Sequence, residues 1–141
     1  DVSDETRRII AERVETPAAG YEVTLAARRL FEFDSASLRP AALADLDDLA
    51  GILNDILRED SALVLRIDGH GDPAASGAGA ANLNLSLSRA REVERYLATR
   101  GLRPEQMTSY GFGHSRPLRD AFGLPRSDAD HARIEFSLDY R

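Results

Sequence analysis

ALVLRIDGHGDPAASGAGAANLNLSLSRAREVERYLATRG, residues 62–101, is the stretch on which the fold turns. Leu63, Leu65 and Ile67 share one side of a period-2 pattern, which predicts a strand over residues 62–69 with one buried face. Gly69, His70 and Asp72 follow it, and Pro73 to Ala81 are almost all small residues. The period then changes. Within RAREVERYLATRG, Ala90, Val93 and Leu97 form one apolar stripe, which predicts a helix stopped by Gly101. A strand leading into a crossover helix calls for a further strand parallel to the first.

Upstream, YEVTLAARRLFEF alternates through Tyr21, Val23, Leu25 and Ala27, then Phe31 and Phe33 on the same parity. It predicts a first strand, broken or bulged near Arg28 and Arg29. DSASLRPAALADLDDLAGILNDIL follows, with Leu46, Leu49, Leu53 and Ile56 at helical spacing and Pro40 suited to a first turn. Asp45, Asp47, Asp48 and Asp55 are expected on its solvated side. Downstream, MTSYGFG is a third strand, residues 114–129 a polar loop, and RIEFSLDY a last strand with Ile134, Phe136 and Leu138 in phase. Ile9, Ile10 and Val14 suggest a short leading helix ended by Pro17 to Gly20. The order βαβαββ predicts an α/β (α+β) sandwich, a mixed sheet with two main helices on one face and the last strand as an antiparallel edge.

The bulk composition narrows the function. A chain of 141 residues, 43% hydrophobic and 30% charged, can bury one core. Its net charge of −6 argues against a nucleic-acid partner. There are no cysteines, which excludes disulfides, thiolate metal sites and cysteine nucleophiles. No apolar run is long enough to span a membrane. The start at Asp1 reads as an excised fragment, with any anchor left outside it.

Ligands in such sheets sit where strands end and helices begin. Asp72 lies just past the second strand, and Arg89 is expected in the first or second turn of the next helix. An arginine there opposes the helix dipole by roughly 0.3–1 kcal/mol, which a ligand carboxylate would offset. An ionised aspartate suits an ammonium. Together the two would hold a zwitterionic amino-acid end. The same spacing also fits a turn cap at Asp72 and an Arg89–Glu92 pair. His70, His114 and His131 form no local ligand set, so no metal and no cofactor is expected. Ser86 and Ser88 lack a nucleophile elbow and read as helix caps. SGAGA is followed by no G-K-[ST], and YGFG reads as a strand ending in a turn.

FEFDSASLRP, GHGD, NLNLSLSRA, YGFGHSRP and HARIEF stand in one order over residues 21–140. In that order they resemble the OmpA-like domain, which also occurs in MotB-type stator proteins and peptidoglycan-associated lipoproteins. The resemblance implies a linker or short helix over residues 1–20 and an OmpA-like domain over residues 21–141. It also implies a non-catalytic module that binds peptidoglycan through diaminopimelate of the stem peptide. Asp72 would meet the ligand's amino group and Arg89 its carboxylate. Asn82 would brace the loop or touch the ligand, Arg133 would lie near the pocket, and Asp34 would order the loop after the first strand. Three features depart from the family pattern. Gly71 replaces a threonine, the loop from Asp72 to Asn82 is longer, and His131 and Ala132 replace Asn and Arg. The expected location is the periplasm, with anchoring to the inner or outer membrane by a segment outside this chain and with homodimers allowed. The alternative is a protein-interaction or dimerisation domain of an envelope complex whose peptidoglycan pocket is weakened or lost.

Overall fold

The computed structural model describes residues 20–72, 79–126 and 130–141. The helix expected through Ile9, Ile10 and Val14 lies outside them. The elements are β1 (Glu22–Ala26), α1 (Ala27–Leu30), α2 (Pro40–Glu59), β2 (Leu63–His70), α3 (Gly79–Thr99), a 3₁₀ turn (Pro104–Gln106), β3 (Met107–Gly111) and β4 (Arg133–Tyr140).

The strands form one mixed sheet in the order β1-β4-β2-β3. β2 and β3 are parallel, as the crossover through α3 requires, and β4 runs antiparallel to both β1 and β2. β4 therefore lies inside the sheet, not at its edge as expected. On its inner face Ile134, Phe136 and Leu138 are at most 1% exposed, with β1 and β2 on either side adding their own apolar residues to the cover. In register, Phe136 sits between Val23 and Ile67, and Ile134 between Leu25 and Gly69.

The period of two gives the sheet two unlike faces. Leu63, Leu65, Ile67 and Met107 join β4's apolar residues under the helices. From α2 come Leu46, Leu49, Leu53 and Leu57, and from α3 come Ala90, Val93 and Leu97, all closing one core. The opposite face carries Thr24, Arg66, Asp68, His70, Arg133, Glu135 and Ser137, which share one parity along the paired strands. Gln106 closes the core's edge: its buried amide Nε2 lies 3.1 Å from the carbonyls of Leu57, Asp60 and Leu63, tying the end of α2 to the start of β2.

The break expected near Arg28 and Arg29 is present, and three other expectations need correction. β1 stops at Ala26, because a helical turn at Ala27–Leu30 takes over. That turn keeps Ala27 and Phe31 buried, but Phe33 ends 97% exposed. Asp45 is not solvated; it is 5% exposed, because α2 buries a wider stripe that also takes in Ala42 and Ala50. Of its other aspartates, Asp47 accepts from the Tyr96 hydroxyl at 2.7 Å and pairs with Arg100 at 2.9 Å. Finally, α3 begins at Gly79, ten residues before Arg89, since GAANLNLSLS holds good helix formers and no proline. Ser86 is thus no cap. Its hydroxyl donates to the Leu83 carbonyl at 2.9 Å and accepts from the Gly113 N–H at 3.0 Å, pinning α3 to the turn after β3.

Candidate functional site

The early start of α3 sets Arg89 well inside the helix. It lies in the third turn, where the helix dipole no longer acts, so the cost of a cation near the N-terminus falls away. What brings Arg89 to Asp72 is close packing instead. A Cβ built on Gly69 would stand 2.1 Å from the Ser86 carbonyl oxygen, so the backbone of α3 rests directly on the end of β2. Asp72 leaves that end, and Arg89 is one turn beyond Ser86.

Both line one cavity of about 760 Å³, together with Asp34, Gly71 and Asn82. Five of the six candidate residues are therefore brought together. Asn82 Nδ2 donates to the Asp72 carbonyl at 3.2 Å, bracing the loop. Gly71 makes room for it, since a Cβ there would fall 2.3 Å from Asn82 Oδ1. Arg133 is the sixth, and it is placed elsewhere. Strand parity points it to the opposite sheet face, where it bonds Glu135 at 2.8 Å and the carbonyls of His131 and Arg116. Ala132 lines the cavity in its stead.

Arg89 is half-buried. Its Nε donates to the Ser35 carbonyl at 2.8 Å, and its guanidinium lies 5.1 Å from the centre of the buried Phe31 ring. Burial pushes its pKa down, and the charge of Asp34 works against that shift. Among the described residues no carboxylate is hydrogen-bonded to Arg89. Glu92, the partner considered from spacing, is taken by Arg95. Two further arginines line the cavity that the sequence pattern did not single out. Arg28 forks onto Asp130 at 2.9 and 3.2 Å, and Arg39 donates to the Arg28 carbonyl at 2.9 Å. The helical turn of α1 carries Arg28 there, and Arg39 stands at the N-cap of α2.

The polar sheet face holds a second cluster. His70 Nε2 meets Glu135 Oε1 at 3.0 Å, its ring stacks on Phe112 at 5.2 Å, and Arg116 lies 3.9 Å over Phe112. Asp68, His70 and Glu135 could offer a cation three ligand atoms within 4.8 Å of one another. Yet Arg66 holds Asp68 at 2.8 Å and Arg133 holds Glu135 at 2.8 Å, so a metal would have to displace two guanidinium groups. The bonds from His70 and Arg133 outweigh burial and hold the Glu135 carboxyl at about 2, below its ordinary 4.5. The ionised pairing therefore stabilises the fold fully above pH 4.5 and is lost as pH falls towards about 2. With Glu135 about a third exposed, solvent screening limits the effect to about 1–2 kcal/mol. The stability gap between the parent chain and Glu135→Gln, from urea midpoints, should shrink by that amount across this range. A gap constant with pH would refute the coupling.

A cleft between the end of a mixed sheet and its covering helix, with a carboxylate and an arginine on its walls, places the chain among two-layer α/β domains with a ligand-sized site. The chain belongs to the OmpA family, whose model matches residues 30–126. It is 33% identical over 112 residues to "Outer membrane protein A" of Serratia odorifera, which covers 79% of this chain and 44% of that protein. The chain thus spans less than half the length of that curated relative. Among solved structures, the periplasmic domain of Helicobacter pylori MotB superposes with a TM-score of 0.70 at 18% identity, covering 93% of this chain and 83% of that one. The cell wall anchor of the T6SS from Pseudomonas aeruginosa gives 0.62 at 24% identity, with 96% and 97% covered. These two structures share the fold. Among the described residues no helix is long and apolar enough to cross a membrane.

Proposed function

We propose that this chain is a non-catalytic peptidoglycan-binding module that tethers an envelope protein to the cell wall in the periplasm. Its ligand is the diaminopimelate of the stem peptide. The observation that carries this reading is the half-buried Arg89, with no carboxylate bonded to it among the described residues, on the same cavity as Asp72. A guanidinium whose pKa burial pushes down gains from an incoming carboxylate, and Asp72, on the same cavity wall, has the charge that suits an ammonium. Membership of the OmpA family and the likeness to a cell wall anchor support the same direction.

The protein as it stands, incubated with purified diaminopimelate-type sacculi, should sediment with them and release no soluble muropeptide. A protein that stays in solution would sink the reading. It would favour a protein-interaction or dimerisation domain, in which Ala132 leaves the cavity wall uncharged where the family pattern has an arginine. Release of muropeptides would mark a hydrolase.

A further inference from the structure

We propose that Phe33 is an apolar lip of the cavity, closing over the hydrocarbon arm that carries the ligand's charged end. The inference rests on the reading of Asp72 and Arg89 given above. At 97% exposed, the ring forgoes nearly all the free energy that burial would give, yet the backbone beside it is held in place. Phe31 pairs with Leu38 across a chain reversal, and the Glu32 N–H donates to the Ser37 carbonyl at 3.0 Å. Asp34 turns the chain at φ 53, a left-handed conformation that aspartate tolerates, and Phe33 stands in the same turn, past the last paired residue Phe31. The reversal is tied to the site itself, because Arg89 Nε bonds the Ser35 carbonyl.

Phe33 lines the same cavity as Asp72 and Arg89, and Leu85 and Ala132 add apolar surface to it. Asp72 and Arg89 answer the two charges of a zwitterion. The apolar lining has nothing to cover unless those charges are borne on a chain of methylene groups. The structure therefore selects an amino-acid end on an alkyl arm, as diaminopimelate presents, over a bare zwitterion.

The chain has no tryptophan, so Phe33→Trp introduces a single emission reporter at the lip. Titrated with a soluble diaminopimelate-containing muropeptide, its emission should shift to shorter wavelength. Phe33→Ala should bind roughly tenfold more weakly, and Phe33→Tyr within about twofold of the parent. The melting temperature of Phe33→Ala should not change, since the ring supports nothing in the free protein. Parent-like affinity of Phe33→Ala, or an unshifted emission at saturation, overturns the lip and leaves the roles of Asp72 and Arg89 standing. Failure of the parent chain to bind the muropeptide overturns both.

Discussion

Replacing Arg89 with alanine should weaken binding of a diaminopimelate-containing muropeptide by about 2–5 kcal/mol, because it strands the ligand's carboxylate in a half-closed cavity. Asp72→Ala should cost a similar amount by stranding the ammonium. The two losses should not add, since both residues grip one small group. Folding should survive. Arg89 contributes one bond to the Ser35 carbonyl and a face-on contact with Phe31, and Asp72 leaves its structural carbonyl in place for Asn82. Calorimetric titration of both variants and the double variant, with unfolding curves alongside, checks this. Parent-like affinity in the single variants, with the fold intact, would remove the basis of the proposed function. Arg89→Lys sharpens the test: it keeps the charge but loses the planar fork, so binding should be only partly restored.

A methyl group at Gly69 should be the most damaging small change to the fold. The Cβ of Gly69→Ala would lie 2.1 Å from the Ser86 carbonyl oxygen and 2.9 Å from its carbon. Both are backbone atoms in the middle of α3, so no side chain can swing aside and the helix must lift from the sheet. Overpacking of this kind should cost about 3 kcal/mol, read from the urea midpoint. Ligand affinity should fall with it, because lifting α3 carries Arg89 away from Asp72. Gly51→Ala is the matching control. A Cβ there meets nothing within 4 Å in the interior of α2, so it should stabilise by about 0.5–1 kcal/mol. Equal effects at the two glycines would mean that α3 does not rest on β2 as described.

Asp72 and Arg89 were legible as opposite charges flanking a strand-to-helix connection. Arg89 does not oppose a helix N-terminus, because GAANLNLSLS folds as helix where its small residues suggest loop. Arg133 and Ala132 show a subtler limit. They are neighbours in sequence, yet strand parity gives them to opposite faces, and the motif alone did not say which face bounds the cavity. Phe33 shares the parity of the buried strand residues, but the strand ends at Ala26 and Phe33 falls in a turn, where parity no longer sets burial.

Periodicity alone determined β2, β4 and the apolar stripe of α3, because each must bury one face and the spacing of apolar residues records which. It also determined the crossover between β2 and β3, since parallel neighbours need one. Tertiary structure decided that β4 lies between β1 and β2, that α3 touches the end of β2, and that Asp72 and Arg89 share a cavity. Those outcomes depend on contacts between segments distant in the chain, whose free energies come from mutual burial and leave no trace in local spacing.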